Sequence, residues 1–348
     1  MRARLWRQNF SLDQPIAAAG QVHATRTHLF LELEIDGVRG FGEISPQPFA
    51  LNGDAGVQDV LDELEHFTLR QFVEAASRES RAPNWARVTH FAGSRPASYP
   101  ASALLEMALL DADLRARHAT VNDQWPARHD TPVQMTVSLI DEQPWTPQLG
   151  AVQIRAKISP RTVTGAHWSR LAALELPVLL DFNCSGDTLD AVVDVVDHAQ
   201  RHVTVVAIEQ PFAPGNVVEH ARLAAAIEVP VSLDEGVRHR RDLDQIVRYR
   251  AARLVCIKPA RVGGFAQART MIERAQLLGL DAYVGGFFES PLARGANAAL
   301  ARHYVSLPSD IGDTILDSVG LFVGDDFGFG FLPGTILESS QPLLTRIW

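Results

Sequence analysis

Lysine is almost missing from this 348-residue chain: of its 32 basic side chains only Lys157 and Lys258 are lysine, and the rest are arginine. Cysteine is equally scarce. Cys184 and Cys256 stand alone, too few for a disulfide framework and without metal-ligand spacing. No apolar run approaches the ~18 residues of a membrane-spanning helix, and the basic start, MRARLWRQNFSLDQPIAAAGQ, lacks an apolar stretch of signal-peptide length. Surplus positive charge is absent too. A net charge of -9 and a pI near 5.7 argue against a nucleic-acid surface, which needs clustered cations. These absences predict a soluble, cytoplasmic protein with no nucleic-acid or membrane partner.

What is present predicts an ordinary folded core, with 46% hydrophobic and 21% charged residues. The length fits about two domains, or one barrel with an appendage. A homo-oligomer stays open. In the first hundred residues HLFLELEID (28–36) alternates as a strand does, GVRGFGEISP follows, and VQDVLDELEHFTLRQFVEAAS carries apolar residues at helical spacing. From Pro132 short apolar runs alternate with helical stretches. The runs are 132–138, 152–157, 177–182, 203–209, 229–234, 253–258, 280–286 and a weaker 303–310. Eight such runs predict an α/β fold with a parallel (β/α)8, TIM-like barrel, although a doubly wound sheet has the same local pattern.

In a (β/α)8 barrel the chemistry sits at the C-terminal strand ends. From the second run to the sixth these ends are Lys157, Asp181, Glu209, Asp234 and Lys258, at intervals of 24, 28, 25 and 24 residues. Consecutive strands would set the three carboxylates side by side, where they repel unless a cation lies between them. All-oxygen ligation suits Mg²⁺ or Mn²⁺ better than zinc. A single carboxylate after a strand is more often a turn residue or a helix cap. Five ionisable ends in register are hard to explain that way. Arginine cannot release a proton near neutral pH, whereas lysine beside a cation can, so the chain keeps lysine where a titratable ammonium is useful.

These residues resemble the enolase superfamily, specifically its muconate-lactonizing subgroup. QIRAK resembles the family's K-x-K strand with Lys157 at the catalytic position; LLDFN, AIEQP and VSLDEG resemble the metal-ligand strand ends; CIKPARVGG resembles the sixth-strand lysine; GFGEISP resembles the capping-domain turn. The resemblance implies an N-terminal α+β capping domain over 1–105, a barrel over 106–320, and a segment 321–348 that returns to complete the cap. One departure is Arg155, which stands where many members have the first lysine of K-x-K and keeps a like charge near Lys157.

GGFFESPLARGANAALA and PSDIG are most similar to o-succinylbenzoate synthases. They imply Mg²⁺-dependent syn-dehydration of 2-succinyl-6-hydroxy-2,4-cyclohexadiene-1-carboxylate to 2-succinylbenzoate, in menaquinone synthesis. Lys157 would take the proton α to the carboxylate and then assist the departing hydroxide. Lys258 would stabilise the anion from the opposite face, with the enediolate held by the metal on Asp181, Glu209 and Asp234. The alternative is an N-acylamino acid racemase or dipeptide epimerase; the latter usually carries an acidic D-x-D pair, absent from Ser309-Asp310-Ile311-Gly312-Asp313.

Further substrate-binding candidates are Ser138, Arg155, Asn183, Gly285, Gly286 and Ser290, with Glu235 supporting Lys258 or water. For Ser138 and the glycines a turn or cap role is about equally expected. Residues 14–26 and 46–55 are expected lids. A Schiff-base aldolase would need a lysine but not three carboxylates. A non-catalytic binding protein would tolerate arginine at both lysine positions.

Overall fold

The amino-terminal strands β1 (Arg2–Ala18), β2 (Gln21–Ile35) and β3 (Val38–Ile44) pair antiparallel in the computed structural model, which describes residues 1–18, 21–79, 85, 86, 95–139, 145, 148–314, 316, 318 and 320–348. In β2, Leu29, Leu31 and Leu33 occupy one face, and His28, Phe30 and Glu32 the other. All six are buried, so this central strand is covered on both sides. Next come α1 (Val57–Glu63), a π-helical turn (Leu64–Thr68), α2 (Leu69–Glu79), α3 (Ser98–Ala116) and α4 (Val121–Gln124).

The two glycines of GFGE have a packing reason. A Cβ on Gly40 would overlap the Ala108 carbonyl and Ala112 nitrogen of α3, and one on Gly42 the Leu104 carbonyl. β3 therefore lies against the bare backbone of α3. Gly42→Val is expected to lower the unfolding free energy by about 2–3 kcal/mol through overpacking, read from urea unfolding. An expected boundary at 105/106 falls inside α3, which is one unbroken helix. Its buried Asp111 accepts from the Phe41 N–H at 2.9 Å, while Glu106 accepts from the Ala266 N–H at 2.9 Å. One helix thus ties the small sheet to the barrel.

The barrel strands are β4 (Val133–Ser138), β5 (Ala151–Lys157), β6 (Val178–Asp181), β7 (Val205–Glu209), β8 (Val231–Leu233), β9 (Leu254–Ile257) and β10 (Asp281–Val284). All pair in parallel, in sequence order. Between them run α5 (Gly165–Ala172), α6 (Leu189–Gln200), α7 (Val217–Ala226), α8 (Arg240–Tyr249), α9 (Pro259–Val262) and α10 (Phe265–Leu277), and α11 (Pro291–Tyr304) follows β10.

The eighth run, 303–310, is not a strand. His303 and Tyr304 complete α11, and Pro308 has no N–H to donate to a ladder. Two residues do the closing: Ser309 bridges to Val133, and the Asp310 N–H donates to the Val284 carbonyl at 3.0 Å, joining both edges of the seven-stranded sheet. The fold is an α/β TIM-like barrel with an amino-terminal cap. The chain ends with β11 (Val323–Gly324), β12 (Phe331–Leu332), α12 (Gly334–Ser339) and β13 (Leu344–Ile347). β13 pairs with the free edge of β1. No described helix is long and apolar enough to cross a membrane.

Candidate active site

Strand alternation builds the barrel mouth. Leu179, Ala207, Cys256 and Tyr283 form a buried cluster from four strands, and two residues further on stand Asp181, Glu209, Lys258 and Gly285. With a period of 2, these share the inward direction. The register sets Lys157 opposite Asp181, and Asp181 opposite Glu209. Asp181, Glu209 and Asp234 are each fully buried.

The three carboxylates converge on one cation supplied by the chain. Arg155 Nη2 lies 2.9 Å from Asp181 and 3.5 Å from Asp234, and is bonded to Glu209. Burial works against the Arg155 charge, but the three carboxylates outweigh it and raise its pKa well above the usual value. Even with this counterion Glu209 is pushed up to about 7, by burial first and then by Asp181 and Asp234. Asp234 moves the other way, because Arg261, Lys258 and Arg155 overcome its burial.

The lysines flank this group from β5 and from the end of β9, with β6, β7 and β8 between them. Lys157 Nζ donates to Asp181 at 2.9 Å and to Asn183 Oδ1 at 2.8 Å. Lys258 Nζ donates to Asp234 at 2.8 Å and lies 4.6 Å from the Phe287 ring centroid. Burial lowers the Lys258 pKa, yet the Asp234 charge wins and the net shift is upward.

Supporting groups fix the carboxylates. Gln210, in a left-handed conformation with φ 40°, accepts from the Asp234 and Gly236 N–H groups at 2.9 and 3.0 Å. Tyr283 donates to Glu209 at 2.5 Å and meets Ser232 at 2.8 Å. Arg261 joins Asp234 to Asp54 of the cap, with 2.8 and 2.9 Å bonds to Asp54. Asn183, Cys184 and Phe288 also have positive φ, and such strain in non-glycine residues gathers at functional sites.

The other expected residues divide. Arg155, Asn183, Glu235 and Gly286 line the cleft beside both lysines. Glu235 bonds to Asn183 at 3.4 Å, and Lys258 to Asp234, so Glu235 is not the hydrogen-bond partner of Lys258. Ser290 is turned away: its hydroxyl and N–H both donate to Glu43, leaving Glu43 as the feature of GFGE that clamps α11. Gly285 is packed against Cys256 and Lys258, where a Cβ would overlap the Cys256 sulfur, and the neighbouring Gly286 lines the cleft. From β4 it is Thr136 that lines the cleft, and Ser138 pairs in register with Lys157. Residues 46–55 reach the mouth through Gln47, Asn52 and Asp54. Within 14–26, His23 and Arg26 reach it, while 19 and 20 lie outside the described residues.

Sequence reasoning placed Arg26 and Asp54 inside the expected lids without singling them out, and it missed Arg261 and Tyr283. Tyr283 had a signal, since it sits two residues before Gly285. The other three meet the mouth through tertiary packing alone.

The donor set fits a hard divalent cation. Three buried carboxylates point at one positive charge, and burial, then Asp234 and Glu209, raise the nearby Cys256 thiol well above its usual pKa. Ligand atoms of Glu209, Asp234 and Cys256 lie within 4.8 Å of one another. The three carboxylates of Asp181, Glu209 and Asp234 offer the oxygen donors that magnesium-like ions take.

Fold and mouth together define a capped parallel barrel with an acidic, lysine-flanked reaction centre. Residues 168–311 match the family described as Enolase C-terminal domain-like. An N-succinylamino acid racemase of Amycolatopsis is 28% identical over 88% of this chain and 82% of its own length. An o-succinylbenzoate synthase of Enterococcus faecalis is 24% identical over 86% and 82%. The solved N-succinyl Arg/Lys racemase of Bacillus cereus superposes with a TM-score of 0.79 at 17% identity, covering 99% of this chain and 98% of that one. The comparisons thus show a likeness to the enolase superfamily, carried by the family match over residues 168–311 and by these relatives.

Proposed function

We propose that this protein is an o-succinylbenzoate synthase, removing water from 2-succinyl-6-hydroxy-2,4-cyclohexadiene-1-carboxylate with Lys157 as both base and acid. The observation that carries this reading is the charge left over at the mouth. Asp310 is held by Arg294 at 2.6 Å and Asp54 by Arg261 and Arg238, each at 2.8 Å, so these carboxylates are already engaged. Among the described residues lining the cleft only Glu235 lacks a cationic partner, bonding to Asn183 alone, so a substrate ammonium finds one carboxylate and no acidic pair, whereas a dicarboxylate meets Lys157, Lys258 and Arg26, which argues against a dipeptide.

Lys157 stands at the β5 end with Asn183 and Asp181 orienting its ammonium. After losing a proton it can take the substrate's α-proton, and it can return one to the departing hydroxide on the same face. Lys258, held charged by Asp234, offers positive potential from the other side. Asp181, Glu209 and Asp234 would hold Mg²⁺, with Arg155 shifting to share them. A divalent cation bound there supplies positive charge to the substrate carboxylate as its α-carbon loses the proton. The cap strands and residues 46–55 exclude water.

A second reading, N-acylamino acid racemase, draws on the same two lysines, because racemisation needs an acid/base group on each face. The racemase relative favours it as well. The test is a spectrophotometric assay with the cyclohexadiene substrate in Mg²⁺ and again after EDTA. Turnover that disappears with EDTA and returns with Mg²⁺ supports the synthase. Solvent deuterium entering N-succinylamino acids, without dehydration of the cyclohexadiene, would replace it with the racemase.

A further inference from the structure

We propose that Arg26, on β2 of the cap, receives the distal carboxylate of the substrate, the one remote from the carbon that loses its proton. This rests on the dicarboxylate reading above.

Arg26 is only 2% exposed and lines the cleft. Among the described residues no carboxylate pairs with it; its contacts are neutral. Nε donates to Ser45 Oγ at 3.2 Å, Nη1 to Gln47 Oε1 at 3.0 Å, and Nη2 to the Ser45 carbonyl at 2.8 Å. A guanidinium has five N–H donors, so two remain uncommitted. The plane rests against Phe288, 5.4 Å from the ring centroid, and Phe288 is held at φ 63° to present that ring. Burial lowers the Arg26 pKa to about 10, which still leaves it charged at neutral pH.

A buried cation without an anionic partner is costly. The chain tolerates it where a ligand completes the pair, as the triad completes Arg155. The hydrogen-bond partners of Arg26, Ser45 and Gln47, belong to the cap and not to the barrel strand ends that carry the triad, so it faces a different part of the cleft from the reacting carboxylate. Thr136 Oγ1, also lining the cleft, has no hydrogen-bond partner among the described residues, a further polar atom that a ligand could satisfy. Arg26 would then set specificity from the cap while the barrel supplies the chemistry.

The experiment compares 2-succinylbenzoate with 2-butyrylbenzoate, in which a methyl replaces the distal carboxylate, by calorimetry in Mg²⁺. The wild type is expected to bind the succinyl compound about 10–100-fold more tightly, the range for a charge-assisted hydrogen-bonded pair. Arg26→Gln should erase the preference without weakening the butyryl compound, and Arg26→Lys should keep part of it. Equal binding by the wild type overturns the proposal whether or not a variant folds, as does parallel weakening of both ligands in Arg26→Gln at unchanged melting temperature. Succinate and butyrate separate the two readings. An Arg26-dependent preference for succinate without cyclohexadiene turnover keeps the anion site and removes the synthase; turnover with an unchanged KM in Arg26→Gln removes the anion site alone. Failure of both succinate and 2-succinylbenzoate to bind overturns the proposal.

Discussion

Lys157→Ala is expected to lower turnover of the cyclohexadiene compound by about 10³–10⁴-fold, the upper part of the range for one acid/base group, because in the proposed dehydration the same ammonium acts in both half-steps. Lys157→Arg should lose nearly as much. It retains a cation beside Asp181 and Asn183, but its pKa above ~12 prevents proton abstraction. Circular dichroism checks that each variant is folded, and single-turnover kinetics reads the chemical step. An arginine variant with wild-type turnover would exclude Lys157 as the base. Lys258→Arg should be affected less, since the role proposed for it in the dehydration requires charge, not transfer.

Glu43→Ala is expected to be the most damaging substitution away from the mouth, lowering the unfolding free energy by about 3–5 kcal/mol. The Glu43 carboxylate is fully buried between cap and barrel. It meets His28 Nδ1 at 2.6 Å and accepts from the N–H groups of Ser290 and Ala293 at 2.8 and 3.2 Å. Alanine strands those donors at the amino end of α11. Urea unfolding measures the loss, and a change below about 1 kcal/mol would show that water satisfies the same groups.

Acidification acts on the same joint. Burial lowers the His28 pKa from its ordinary 6.5 despite Glu43. Glu43 is also lowered from 4.5, because bonds from His28 and Ser290 overcome its burial. For both groups the unfolded chain takes up protons first, so stability falls as pH drops below about 6.5 and again below about 4.5. His28→Gln should flatten the upper part of that decline in a series of melts.

Much of the site was legible because a parallel barrel repeats one unit. Each strand brings its terminal residue to the same rim, so Lys157, Asp181, Glu209, Asp234 and Lys258 could be read from spacing alone. Ser290 was misplaced for a related reason. It follows a strand, as substrate-binding residues do, but as the N-cap of α11 it is occupied by an acid 247 positions away in sequence. The eighth run failed because aliphatic content in HYVSLP does not distinguish a helix end and a proline loop from a strand.

The sequence by itself determined the barrel, the five ionisable strand ends and the glycine spacing of the cap turn, all consequences of local periodicity and of what each side chain can do. Tertiary structure decided which charges are already paired. Arg155 turns into the carboxylates, Arg294 neutralises Asp310, Arg261 links Asp234 to Asp54, and Arg26 meets no anion among the described residues. Pairing depends on distances between segments far apart in the chain, and a one-dimensional pattern carries no such distances.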